Sequence, residues 1–363
     1  MSRSRKVRSV CKAGAALSLI AVSGGAFAQG SSSQTAAAVS FVTGTSGGGQ
    51  TPLNTVLQQT VTVTGAITAN LIGGGVSIFT AAGANPNVTL AGAPRRMALG
   101  GQKGDAAAGG AKLWNVWGSL SQNNVGYSFA PVNASGRVNA GTVGLDYTFS
   151  NKVILGVALS ADQTRVGLNG SSVTGNLSGS GSTVSPYIGI PLNQNWTLDA
   201  GLGFGRSKVD ITLNNLNGQI SSNRSVGNIG LAYRQGMGNW LLSGRGSYLT
   251  VNDSLGAFTL SNGTFVTSST VRVEQVRFGG QAAYNAGSVV PYIGLNYIYD
   301  LKAPNGGPIA GQTPANDRDA FQLQLGLQFK GNGSLYGSVQ YSTEQSRAQV
   351  KNDQIMLNLG LRF

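Results

Sequence analysis

Six aspartates, Asp210, Asp253, Asp300, Asp317, Asp319 and Asp353, are the residues whose type could support acid–base chemistry in this chain. Paired carboxylates do such work when one holds its proton and the other stays ionised. All six, however, fall in or beside polar stretches that read as exposed loops, where a carboxylate is most simply a solvated surface charge. The usual partners are missing too. There is no histidine, and Cys11 is the single cysteine, which removes Ser-His-Asp hydrolysis, cysteine nucleophiles and histidine- or thiolate-held metals. "GLGFG" at 201–205 is not a phosphate loop, because it lies inside an alternating segment and no capped helix follows. "NGS" at 169–171 and "NGT" at 262–264 match a glycosylation pattern too short to carry weight. No enzyme activity, cofactor or metal is expected.

The elements that would position any site must therefore explain the function. Only 10% of the 363 residues are charged and 55 are glycine, against roughly 25% charged in soluble domains. No apolar run is long enough for a helical membrane span. The first 28 residues read as a secretory signal: Arg3, Arg5, Lys6, Arg8 and Lys12 precede the apolar Ala13 to Ala26, and "AFA" at 26–28 offers small residues for cleavage. Its loss takes five of 25 basic residues and none of 12 acidic ones, leaving 20 against 12 and a net charge of +8. The remaining cations are scattered, which argues against nucleic-acid binding by an exported chain. Cys11 lies ahead of the apolar core of the signal, so no disulfide or lipid attachment is supported.

From Leu113 onward apolar and polar residues alternate in twelve segments: about 113–121, 138–149, 152–163, 181–190, 195–206, 224–234, 239–250, 270–284, 288–300, 319–330, 334–344 and 353–363. In "FQLQLGLQF" the residues Phe321, Leu323, Leu325, Leu327 and Phe329 alternate with Gln322, Gln324, Gly326 and Gln328. Tight links ("SN", "PLNQN", "QGMG", "NAG", "GNG") alternate with long polar ones at 162–179, 207–223, 251–269 and 301–318. Short turns on one side and long loops on the other are the pattern of an antiparallel transmembrane barrel with the short side periplasmic. In lipid each backbone N–H and C=O needs a partner, so the last segment must pair with the first, around Trp114 and Trp117. The expected fold is all-β, a 12-stranded antiparallel transmembrane barrel. Pro186 and Pro291, in the repeated "PYIG", fit poorly in a closed ladder and suggest local bulges.

Phe149, Trp196, Tyr233, Trp240, Tyr284 and Phe329 share the apolar faces of their segments and sit beside short turns, as does the final Phe363 beside the terminus. They form a candidate periplasmic aromatic girdle. Tyr248, Tyr299, Phe321 and Tyr341 are candidates for the other rim. The opposite face is small and polar, with Asp146, Asp199, Arg245, Arg277, Gln322, Gln324 and Gln328 as candidate lumen-facing residues. Such a lining suits a hydrated wall or a specific contact with a plug.

Residues 29–112 differ in character, with low-complexity chain at each end. Between these ends, 52–80 carries a helical apolar stripe after Thr51 and Pro52, although "QTVTVTGAIT" is also β-branched and alternating. Helix is the preferred reading, and a helix or extended segment should fit inside a barrel of this size. The expected organisation is a signal at 1–28, a short passenger or linker at 29–112 with a pore-threading helix about 52–80, and a barrel at 113–363.

The export signal, the linker into "KLWNVWGSL", the twelve strands and the terminal "IMLNLGLRF" together resemble the translocator barrel of autotransporters, the type V secretion proteins. The resemblance implies that Leu359, Leu361 and Phe363 are read by the barrel-assembly machinery, that the signal engages the export translocon, and that the barrel sits in outer-membrane lipid. It also implies that the segment before Leu113 threads the pore and is translocated to or displayed at the cell surface. One departure matters: residues 29–112 are too few for the usual β-solenoid passenger, which needs at least three repeats and capping ends. A small porin-type diffusion channel and a loop-mediated adhesin are the competing readings.

Overall fold

The computed structural model describes residues 113–129, 132–170, 174–263, 265–302, 319–330, 335–346 and 350–363. The predicted signal and the pore-threading helix lie outside the described residues. Twelve strands close one antiparallel barrel: β1 (Trp114–Phe129), β2 (Val132–Thr148), β3 (Ile154–Gly170), β4 (Thr174–Pro191), β5 (Trp196–Leu213), β6 (Leu216–Met237), β7 (Trp240–Leu255), β10 (Ser269–Tyr284), β11 (Val289–Lys302), β12 (Asp319–Lys330), β13 (Leu335–Gln345) and β14 (Val350–Arg362). Each pairs with its sequence neighbour, and β14 pairs with β1. A two-stranded sheet, β8 (Phe258–Thr259) and β9 (Phe265–Val266), lies in the connection from β7 to β10. No helix occurs among the described residues.

Closure follows from the last strand. β1 and β14 run in unbroken register from Asn115↔Arg362 to Tyr127↔Val350, and Trp114 and Phe363 exchange backbone hydrogen bonds of 3.1 and 3.0 Å. The seam thus satisfies groups that an open edge would leave in lipid. Both barrel ends of the sequence lie with the short turns, since Thr148 donates its N–H to the carbonyl of Leu113 at 2.7 Å.

Along the half of each strand near the short turns, alternation places Leu145, Leu159, Leu202, Ile293, Leu325 and Ile355 outward and exposed, while Gly, Ser, Asn, Gln and ion pairs face inward. Two predicted long loops are in fact strand. β3 and β4 extend to Gly170 and Thr174, and β5 and β6 to Leu213 and Leu216, where Asn214 and Asn215 turn the chain with φ of 45° and 70°. Asparagine tolerates this left-handed region, as a two-residue hairpin turn requires.

The extensions persist because their polarity inverts. On β5, Leu198, Leu202 and Phe204 face outward, but beyond Arg206 it is Val209, Ile211 and Leu213 that are buried inside. β3 switches likewise from an outward Leu159 to an inward Val166 and Leu168. The inner residues join Leu177, Ile220 and Leu255 in an apolar cluster completed by Phe258, Leu260 and Val266 of the β7–β10 connection. The N–H of Ser261 donates to the carbonyl of Asn217, and that of Asn217 to the hydroxyl of Ser261. This connection is therefore folded onto the inner wall of the β5–β6 hairpin, at the end opposite the short turns.

Neither proline makes a bulge. Pro186 pairs with Val157 on β3, while the β4–β5 ladder skips Ser185 and Pro186 without changing register. Pro291 pairs with Leu327 on β12 at the point where the β10–β11 ladder has ended, at Ala283↔Tyr292. Each proline faces a gap on one side only, which costs no N–H that the ladder needs.

Candidate functional site in the barrel lumen

Near the short turns, β1, β2 and β4 build a buried network. The indole N–H of Trp117 donates to Tyr187 Oη at 2.8 Å, which donates to Asp146 Oδ2 at 2.8 Å; Asn115 Nδ2 donates to the same oxygen at 3.0 Å. Across the seam, Tyr336 Oη donates to Asn115 Oδ1 at 2.9 Å, and the Arg362 guanidinium lies 5.1 Å from the centre of the Tyr336 ring. Glycine makes room for these rings. A Cβ on Gly144 would fall in the indole of Trp117, and one on Gly156, Gly360 or Gly326 in the phenol of Tyr187, Tyr336 or Tyr292 respectively. Aromatic bulk and absent side chains thus fit together across neighbouring strands.

Around the wall, Arg245 on β7 crosses β6 to Asp199 on β5, with Nη1 and Nη2 donating 2.6 Å bonds to the two carboxylate oxygens. Gly230 on β6 permits the crossing, since a Cβ there would meet the guanidinium. Arg234, one strand over and buried, has no partner among the described residues for Nε or Nη2. On β10 and β11, Arg277 donates to Gln275 Oε1 through Nε at 2.9 Å and Nη2 at 2.6 Å, and Gln275 Nε2 donates to Asp300 at 2.6 Å. An amide ladder follows, Asn296 to Gln322 at 3.0 Å and Gln324 to Gln322 at 3.1 Å. Higher up, Arg224 on β6 lies 3.2 Å from Asp253 and 3.5 Å from Asp162.

Of the candidate lumen residues, Asp146, Asp199, Arg245, Arg277, Gln322 and Gln324 are buried on the inner wall and Gln328 is half-buried on the same alternation. The fold joins Asp199 to Arg245 and Gln322 to Gln324, and keeps Asp146 and Arg277 in separate networks. Two aspartates read as solvated loop charges are not: Asp253 and Asp300 are 2% and 1% exposed and paired on the inner wall. Asp253 lies where β7 runs further than its apolar outer face, Asp300 lies within the predicted segment 288–300, and alternation carries both side chains inward. Asp210 and Asp319 are exposed as expected, and Asp317 lies outside the described residues. Sequence reasoning missed Trp117, Tyr187, Tyr292, Tyr336 and Arg224. Only their position on the polar alternation could have marked them.

The aromatic candidates Phe149, Trp196, Tyr233, Trp240, Tyr284 and Phe329 all lie on the outer face beside short turns. Trp196 meets Tyr233 in a tilted contact at 4.9 Å between ring centres, and Trp240 meets Tyr284 edge-on at 5.0 Å. Trp114, Tyr147 and Phe149 extend the row at 4.9 and 5.0 Å. Tyr147 was legible two residues before Phe149 on the same face.

A family model for the autotransporter beta-domain matches residues 115–342. The chain belongs to that family. Its fold is similar to three solved autotransporter barrels. The translocator domain of NalP from Neisseria meningitidis is 18% identical with a TM-score of 0.54, covering 74% of this chain and 96% of its own. The transport unit of AIDA-I from Escherichia coli is 12% identical with a TM-score of 0.59, covering 71% and 93%. The beta domain of the Bordetella autotransporter Brka is 16% identical with a TM-score of 0.54, covering 69% and 99%. A comparison with curated proteins found no match. The chain is thus an outer-membrane barrel of the autotransporter translocator family.

Proposed function

We propose that this autotransporter barrel carries its own N-terminal segment, residues 29–112, through the lumen to the cell surface after a signal at 1–28 has taken the chain through the export translocon. The observation that carries this reading is the placement of Leu113 and β1 at the short-turn end, which is the periplasmic side of such barrels. A segment joined there meets a closed barrel with a polar inner wall along Asp146, Asp199, Arg245, Arg277, Gln322, Gln324 and Gln328. Charged and amide groups already bonded to one another offer a sliding polypeptide a polar surface with few strong partners.

In the same reading, the outward rings at Phe149, Trp196, Tyr233, Trp240, Tyr284 and Phe329 anchor the barrel at the periplasmic interface. Leu359, Leu361 and Phe363, exposed on the outer face or end of β14, present the signal that the assembly machinery reads. The β7–β10 connection, held on the inner wall at the far end by a buried apolar cluster, supports transport of a segment over free diffusion of solutes, because it takes up part of the exit.

An epitope inserted between Ser33 and Gln34 tests the reading in intact cells. Antibody labelling and protease sensitivity without permeabilisation are expected. An epitope that stays protected while the β7–β10 connection is cut would overturn surface display.

A further inference from the structure

On the outer wall of β2–β5, just beyond the apolar band on the side of the long hairpins, four cations stand together. Arg137 and Arg165 are directly opposite on β2 and β3; across β4, Ser178 aligns Arg165 with Asp210, and Lys208 and Arg206 lie two and four residues further along β5. All four are exposed, and none forms an ion pair with a described residue. The carboxylate of their neighbour Asp210 accepts a bond from Gln219 at 2.7 Å. Elsewhere on this rim Arg272 meets Glu274 at 2.7 Å. Like charges directly opposite on a sheet repel, so the Arg137–Arg165 pair gains from an anion between its guanidinium groups, and Lys208 and Arg206 extend the same sign of charge along β5.

The position of the patch selects the anion. Beneath it Val143, Leu159, Leu202 and Phe204 are 57–59% exposed and form part of the band that meets hydrocarbon. A groove lined by Leu159, Val184, Phe204, Ser182, Asn223 and Arg206 runs from the apolar band to Arg206, the member of the patch nearest that band. We infer that Arg137, Arg165, Arg206 and Lys208 bind the phosphate groups of an anionic lipid in the outer leaflet, with acyl chains along the groove below. Guanidinium groups suit this role because they meet phosphate oxygens with paired, charge-assisted donors.

Lipid A binding to the full chain folded in neutral detergent provides the test, with dephosphorylated lipid A and inorganic phosphate as competitors. The unaltered protein is expected to bind lipid A in a salt-sensitive manner. Neutralising all four residues with glutamine should weaken binding by about tenfold or more, whereas Arg272→Gln should leave it unchanged. The four side chains project from the wall, and a heat-modifiable band on unboiled gels confirms that the variant is folded. Equal binding of the dephosphorylated lipid, equal binding by the quadruple variant, or full displacement by millimolar inorganic phosphate would each overturn the assignment, the last by showing a site for free phosphate.

Discussion

Arg245 and Asp199 are two strands apart yet joined by two 2.6 Å bonds, because β6 contributes a glycine between them. The pair is 1% exposed on both sides and lies beside Arg234, whose Nε and Nη2 have no partner among the described residues. Its stabilising effect depends on both partners, since either alone is an uncompensated buried charge.

Asp199→Asn is therefore expected to destabilise the barrel by about 3 kcal/mol, leaving two guanidinium groups without their carboxylate. Arg234→Gln should be near neutral. Urea unfolding followed by tryptophan fluorescence compares them, and equal losses in the two variants would show that the Asp199–Arg245 pair has no special weight. Gly230→Ala should resemble Asp199→Asn, because its Cβ displaces the guanidinium.

Rings packed over glycines give a second prediction. Gly144→Ala pushes the Trp117 indole out of the space it occupies beside β2 and strains its bond to Tyr187. Overpacking of this kind costs about 1–3 kcal/mol. Gly118, on the outer face of β1, has only ordinary contact at 3.7 Å for a Cβ, so Gly118→Ala should be tolerated. The melting temperatures of the two variants in one detergent decide it.

Polarity inversion along β5 makes depth measurable. Phe204→Arg places a cation in the apolar band and should cost about 2–4 kcal/mol if near the midplane, less towards the interface. At Lys208, four residues on and facing the same way, a change to Leu should cost little. Reversed on the inner face, Ile211→Asp should be costly and Ser207→Asp mild. Folding titrations into lipid vesicles that show no contrast between Phe204→Arg and Lys208→Leu would place the membrane boundary elsewhere.

How far the sequence was legible follows from this inversion. Strand number, order, closure and the side of the short turns could be read from Leu113 to Phe363, because lipid demands alternation and a closed ladder. The ends of β3, β4, β5 and β6 could not. On β5 apolar residues change from even positions, up to Phe204, to odd ones, from Val209, and a reader following one face sees the strand stop. Asp253 on β7 was misplaced for the same reason, whereas Asp300 stands on the polar alternation of a segment already read as strand. Cross-lumen partners such as Trp117 with Tyr187 depend on strand stagger, which period-two alternation alone does not encode.

The apolar cluster opposite the short turns should control conductance. Phe258→Asp combined with Leu260→Asp puts two charges among Val209, Ile211 and Ile220, and the connection from β7 to β10 should leave the wall rather than bury them. Planar-bilayer recordings are expected to show larger currents in the variant than in the unaltered barrel. A large steady current in both would favour a diffusion channel.

Phe363 separates stability from recognition. Its backbone exchanges two bonds with Trp114, and its ring, 59% exposed, adds outward apolar surface at the seam. Deleting it removes two hydrogen bonds, each with a net effect of about 1 kcal/mol, from a seam whose register otherwise runs unbroken to Tyr127↔Val350. Purified protein should still refold into detergent with a modest loss of stability. In cells the loss should be far greater, if an assembly factor binds the exposed ring before β14 meets β1. Phe363→Tyr keeps the ring and the backbone bonds and should assemble normally, while Phe363→Ser keeps only the bonds. If Phe363→Ser reaches the outer membrane at the level of Phe363→Tyr, the terminal ring is not a recognition element and closure of the ladder suffices.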